Sequence, residues 1–134
     1  MIFLFDEQLS KHVAHALNIL QERMNRRNKT GHKVQHVTDM FPRGASDTKI
    51  FKNFPKNGIF ISLDLNQQRV PKERILIDQL KLSIIYFRSK QDLNFWKQAR
   101  LFVNVWPDVL EFVDQQKQPF IKRYKPQEIR RLVK

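Results

Sequence analysis

Several aspartates of this 134-residue chain stand where a short apolar run gives way to polar sequence. Asp6 follows Ile2-Phe3-Leu4-Phe5, Asp39 follows Val34-Gln35-His36-Val37, and Asp64 follows Gly58-Ile59-Phe60-Ile61-Ser62-Leu63. Asp47 comes directly after Ser46, a good helix cap. If the strands run parallel and adjacent, Asp6 and Asp64 share one sheet edge, and the helix that begins near Asp47 points its N-terminus toward the same crevice. Carboxylates at close range repel unless a proton or cation separates them. A hard divalent ion meets that need: Mg²⁺ or Mn²⁺ takes oxygen ligands, keeps several waters, activates one of them and neutralises phosphate charge. The matching chemistry is phosphodiester hydrolysis. A single aspartate at a helix start is explained by capping and the helix dipole alone; several at one sheet edge are not. Ser62 lies two residues before Asp64, on the same side of a strand that continues that far. It is a candidate to orient a carboxylate or water, although strand serines commonly bond only to backbone.

The rest of the composition says what such a site would act on. Lys and Arg number 25 against 13 Asp and Glu, giving a net charge of +12, so the natural partner is a polyanion. Arg43, Lys49, Lys52, Lys56 and Arg69 flank the acidic positions in sequence and are the candidate phosphate contacts. A hydrophobic fraction of 41% with a charged fraction of 28% is that of a folded domain, not a disordered one. The absence of cysteine excludes a disulfide framework, a thiolate metal site and a cysteine nucleophile, and suits a reducing cytoplasm. The opening apolar run is too short for a signal peptide or membrane span, so a soluble cytoplasmic protein without membrane contact is expected. His12 and His15 have helical spacing but no accompanying carboxylate set, which favours a solvated face over a metal pair. Trp96 and Trp106 fall on an apolar helical pattern and are expected in the core.

These residues need elements to hold them. Ile2–Phe5 is a continuous apolar run of the buried-strand type. Leu9, Val13, Ala16, Leu17, Leu20 and Met24 predict an amphipathic helix from Gln8 to about Arg27, with Ser10 in its first turn and ended by the cluster Asn25-Arg26-Arg27-Asn28-Lys29 followed by Gly31. A second strand over Val34–Val37, a short helix capped by Ser46, and a third strand over Gly58–Leu63 follow. A loop or short helix from Lys72 to Lys81 leads to a fourth strand, Leu82–Phe87. Gln91 to about Val105 is predicted helical, with Pro107 starting or kinking a further piece to about Gln116. The tail from about residue 119 has no clear period, and a strand over Phe120–Tyr124 is compatible with it. The alternation predicts one α/β domain over 1–134 with a mostly parallel sheet, right-handed crossovers and helices on both faces.

Phe3-Leu4-Phe5-Asp6-Glu7-Gln8-Leu9-Ser10, Gly31 to Asp39, Arg43-Gly44-Ala45-Ser46-Asp47 and Ile59-Phe60-Ile61-Ser62-Leu63-Asp64 resemble, in order and spacing, the motifs of compact PIN-like proteins. Leu93 to Arg100 with Trp106-Pro107 is similar to the C-terminal part of a subgroup related to VapC toxins. The resemblance covers roughly residues 2 to 125. It implies a three-layer α/β/α sandwich, Mg²⁺- or Mn²⁺-dependent endoribonuclease activity, RNA as substrate, and a toxin's antitoxin protein as partner; a homodimer is left open. Asp6 matches the acid after the first strand, Asp47 the acid on the helix after the second, and Asp64 the first acid of an S/T-x-D-x-D motif. The second acid of that motif is Asn66 here, which removes one charge but leaves an amide oxygen to ligate an ion or its water.

Two rivals stand beside the ribonuclease. Asn66 favours a non-catalytic PIN-like module that binds nucleic acid or a partner through a degenerate metal site. An aspartyl phosphoryl-transfer domain is a weaker fit, since Asp6-Glu7 lacks the D-x-D pattern and no convincing lysine ends a later strand.

Overall fold

The apolar runs at Ile2, Ile59 and Ser83 form the three inner strands of one sheet, because a strand covered by helices on both faces has no polar side to show. The computed structural model describes residues 1–64, 71–89 and 92–134, with Asp64, Pro71 and Lys72 described by their backbone. In chain order the elements are β1 (Ile2–Phe5), α1 (Lys11–Asn28), β2 (Lys33–His36), α2 (Val37–Met40), α3 (Asp47–Lys52), β3 (Ile59–Asp64), α4 (Pro71–Gln79), β4 (Ser83–Arg88), α5 (Phe95–Gln115), β5 (Ile121–Tyr124) and α6 (Pro126–Leu132). All pairings are parallel and the strand order is β2-β1-β3-β4-β5. The edge strands carry Lys33, Lys122 and Arg123, charges that discourage pairing with another sheet.

Strand alternation splits the core in two. Phe3, Phe5, Ile61 and Phe87 turn to one face and pack with α1, α5 and α6. Leu4, Phe60, Ile84 and Tyr86 turn to the other, against Val37, Ile50, Phe51 and Ile77 of α2, α3 and α4. The result is the three-layer α/β/α sandwich expected from the sequence.

The crossovers are not all of one hand. From β1 the chain steps outward to β2 through α1 on the first face, then returns past β1 to β3 through α2 and α3 on the second. Reversing both direction and face keeps the hand, and the step to β4 through α4 keeps it again. The step to β5 continues in the same direction, yet α5 packs on the first face, so this crossover has the opposite hand. It departs from the usual uniform right-handedness. Consequently, among the described residues no helix covers β5 on the second face.

Local details also differ from the sequence reading. Ser10 lies outside α1 as its N-cap, accepting from the Val13 N–H, so the helix begins at Lys11 and not at Gln8. Its end falls within the expected Asn25–Lys29 cluster, with Lys29 as the cap in the left-handed region (φ 55°). The buried face of α1 is Val13, Ala14, Leu17 and Gln21, whereas Leu20 and Met24 are exposed. Val37 begins a helix instead of ending a strand. Pro107 sits within one continuous α5: both it and Val103, whose carbonyl loses its helical donor, are on the exposed side, where water serves instead. The tail forms β5 and also α6, which starts at Pro126 and whose Glu128 carboxylate accepts the Lys125 N–H at 3.1 Å.

Gln21 explains the rotated face of α1. Its Oε1 accepts the indole N–H of Trp106 at 2.9 Å, and its amide donates to Asn25 Oδ1 at 2.8 Å, so a buried amide is satisfied at both ends. Asn25 in turn donates to the His32 carbonyl at 2.7 Å, tying α5 through α1 to the entry of β2. Gln21→Ala is expected to cost about 1–3 kcal/mol in urea unfolding, because it strands the Trp106 N–H. The double variant Gln21→Leu with Trp106→Phe should lose less than the sum of its single changes.

Candidate active site

Where the strand order reverses, the carboxyl ends of β1 and β3 open a crevice of the kind that binds ligands in parallel sheets. Asp6 stands there. Its N–H donates to the Ile61 carbonyl at 2.9 Å, continuing the β1–β3 ladder one residue beyond β1. Its carboxylate is held at both oxygens: Oδ1 accepts the Glu7 N–H at 2.7 Å and Oδ2 accepts the Ser62 hydroxyl at 3.0 Å. Ser62 is buried and lies on the Leu4–Phe60 side of the sheet, as period-2 alternation requires. The hydroxyl of Ser62 thus bonds to a carboxylate and not only to backbone, and the carboxylate is that of Asp6. Asp64 ends β3 at the same edge, two residues beyond Ser62, in register with Arg88 of β4.

Asp47 approaches from the helical layer. Glu7 Oε1 accepts the N–H of Gly44 at 3.0 Å, drawing the loop before α3 against the Asp6-Glu7 turn. Gly44 has φ +78°, a conformation open to glycine at little cost. Ser46 then caps α3 by accepting from the Lys49 N–H at 3.2 Å, and Asp47 is the first helical residue, on the same face of the sheet as Ser62. Arg43 is exposed beside Gly44, and Lys49 is exposed on α3. Lys52 lies at the far end of that helix, and Lys56 lies in the turn that enters β3 at the opposite edge of the sheet, next to Asn57, whose carbonyl accepts from Gln118 at 3.2 Å. Arg43 precedes Gly44, whose N–H reaches Glu7, whereas Lys56 lies at the opposite edge of the sheet. Asn66 and Arg69 lie outside the described residues.

Asp39 leaves the group that the sequence suggested. Its oxygens meet His15 Nε2 at 3.0 and 2.9 Å, and Oδ2 also accepts the His36 N–H at 2.9 Å. His36 is buried: its Nε2 donates to the Leu9 carbonyl at 2.8 Å, while Nδ1 accepts from the Thr38 N–H. This pair braces the loop that follows Asp6. Burial alone would raise the Asp39 pKa, but the bonds from His36 and His15 outweigh it and hold the carboxyl below its ordinary value.

Among the described residues no three His, Asp or Glu side chains form a group able to hold an ion. The donor chemistry of the crevice nonetheless fits a hard cation. Asp6 and Asp47 would offer carboxylate oxygen, the ligand type that such an ion prefers.

Three residues at this edge escaped the sequence reading of the site. Glu7 anchors the Gly44 loop; the only signal was its place beside Asp6 at a strand end. Arg88 is the register partner of Asp64. Gln98 accepts the Ser10 N–H at 2.9 Å and so ties the start of α5 to the β1–α1 loop. Trp106 is buried as expected, but Trp96 is 71% exposed and stacks on Phe95 at 5.2 Å. α5 starts only at its Asn94 cap, and its buried stripe begins at Gln98, which leaves Trp96 off the core face.

The Asp39 contacts give a pH-dependent expectation. A depressed carboxyl pKa contributes stability above the ordinary aspartate range and loses it as pH falls through the folded value. Asp39→Asn should therefore cost about 1 kcal/mol at neutral pH, the usual scale of a lost helix cap. Chemical denaturation of the two proteins at falling pH should show that difference shrinking toward zero in acid.

The family model described as a PIN like domain matches residues 1–89, from the start of β1 to just past β4. No curated protein and no solved structure matches the chain. The match takes in more than half of the sequence, including both strand ends, the Gly44 loop and Asp47. With the parallel sheet and its edge carboxylates, it makes this chain a member of the PIN-like domain family.

Proposed function

We propose that the chain is a metal-dependent endoribonuclease hydrolysing RNA phosphodiesters. PIN-like domains are commonly nucleases, and the net charge of +12 suits a nucleic-acid substrate. The observation that carries the reading is the Asp6 carboxylate, fixed by Ser62 at the β1–β3 switch point with Asp64 at the same edge. Asp6, Asp47 and Asp64 are the residues that would hold Mg²⁺ or Mn²⁺, with Asn66 as a neutral fourth donor. Such an ion supplies Lewis-acid activation of water and neutralises phosphate charge. The chain's own contribution is positioning. Ser62 and the Glu7 N–H hold Asp6 in one orientation, Glu7 holds the Gly44 loop, and Arg43 and Lys49 are placed to bind flanking phosphates.

A finer part of the proposal is the biological role. The likeness of the Leu93–Arg100 stretch and Trp106-Pro107 to VapC-related proteins supports a toxin whose partner is an antitoxin protein. An adjacent reading frame encoding a small DNA-binding protein would support it further. Asn66 favours a second reading, a binding module that retains the fold and the basic surface without cleavage.

Cleavage of a broad RNA pool separates the two. Asp6→Asn and Asp64→Asn should each lower Mg²⁺- or Mn²⁺-dependent cleavage about 100-fold or more, since the loss falls on the chemical step, while RNA affinity stays nearly unchanged. Equal cleavage by wild type and both variants, all verified as folded, would assign the activity to a contaminant. Asn66→Asp should tighten Mn²⁺ binding measured by calorimetry; unchanged affinity would remove Asn66 from the ligand set.

A further inference from the structure

The face of β5 that α5 leaves bare forms one wall of a groove of about 900 Å³, with α4 as the other wall and β4 as the floor. Its size lies at the upper end of the range for sites that enclose small ligands, roughly 300–1,000 Å³. Arg74 and Lys81 project from the α4 side, Arg88 from the end of β4 and Arg123 from β5, against the single carboxylate of Asp78 in the lining. The Arg123 guanidinium lies over the Tyr86 ring at 5.7 Å, which fixes one of these cations in place over an otherwise buried aromatic. Ile121, in the same wall, is 47% exposed.

We infer that this groove binds the phosphodiester backbone of single-stranded RNA and leads it to the carboxylate edge. Four cations around one concavity suit a polyanion, and three of them are arginines, whose planar fork matches phosphate. The end of the groove lies next to the carboxylate edge along the sheet: Arg88, in its lining, is the register partner of Asp64. An acidic peptide would meet the same cations; in the nuclease reading the neighbouring Asp64 edge is where a phosphodiester would be cleaved, which favours RNA as the occupant. The inference rests on the nuclease reading for its direction, but binding can be measured without cleavage. The β5 wall lies beyond residues 1–89, so the groove is a property of this chain over and above the family match.

The test is the salt dependence of binding to a labelled mixed-sequence single-stranded RNA, with divalent ions chelated so that no cleavage intervenes. Each phosphate neutralised contributes about 0.7 to the slope of log affinity against log salt for single strands. Arg74→Gln with Arg123→Gln should lower the magnitude of that slope by about 1.4. Arg74→Gln with Lys81→Gln should do the same while leaving the Arg123–Tyr86 contact intact, so a folding defect in the first pair does not decide the matter. The control is Arg26→Gln with Arg27→Gln, an equal loss of charge in the last turn of α1, and it should leave the slope nearly unchanged. If the control lowers the slope as much as the groove pairs, or if neither groove pair lowers it, the groove is not the track. An acidic peptide that binds wild type as tightly as the RNA and loses affinity in the same groove variants would overturn the assignment to nucleic acid. Loss of cleavage in Asp64→Asn with the groove-dependent slope retained would leave both readings standing, while absence of cleavage in wild type with that slope retained would remove only the nuclease.

Discussion

The bond from the Asp6 N–H to the Ile61 carbonyl locks β1 beside β3 one residue past the end of the strand, and the site depends on that register. β1 is only four residues long. A slip of one residue would reverse every side chain, turning Asp6 toward the aromatic layer where Phe5 meets Phe102 at 4.7 Å. A carboxylate buried there without partners would cost far more than the strand pairing returns. The alternation of Phe3 and Phe5 with Leu4 therefore does two things at once: it fills two cores and it delivers Asp6 to the Ser62 hydroxyl.

The second organising choice is the face taken by α5. Packing beside α1 places Trp106 against Phe3 at 4.9 Å and within reach of Gln21, so the buried amide of α1 and the indole of α5 satisfy each other. Among the described residues, the same choice loads three helices onto one face and leaves the other with α2, α3 and α4, over the β2 to β4 part of the sheet. Core and groove are two consequences of one crossover. The layer rich in aromatic contacts gains its long helix, and the edge strand β5 gains a side open to a ligand.

How much of this was legible in the sequence depended on the range of the interaction. The inner strands were readable because a parallel strand buried on both faces is a continuous apolar run, and the Ser46 cap was readable because capping is local. That Asp6 and Asp64 share an edge followed from the parallel arrangement. The sequence could not show which side of the sheet α5 would take, since an apolar stripe points to a core without naming it. Gln21 falls outside the apolar set from which the first helix is read; its partner is 85 positions away, and helical periodicity carries no trace of it. Asp39 likewise looked available to a metal because His15, its partner, sits on another element. Trp96 was misread because a helix start cannot be placed from apolar spacing alone when the Asn94 cap decides it. β5 and α6 were obscured by the basic residues that an edge strand and a terminal helix can carry in solvent.

In the nuclease reading, this distribution of charge has a mechanical consequence. A protein with 25 basic residues attracts RNA over its whole surface, but the carboxylates at the strand ends repel phosphate locally. In that reading Arg43 and Lys49 on the α3 flank and Arg74 and Arg123 on the α4–β5 flank would hold phosphates on either side, while Arg88 stands in register beside Asp64. The strand is then gripped on two sides of an anionic gap. If the chain is the proposed nuclease, a phosphate would rest in that gap only together with a divalent cation, and cation requirement and cleavage position would come from one arrangement, with basic residues supplying affinity and the acidic edge selecting the bond.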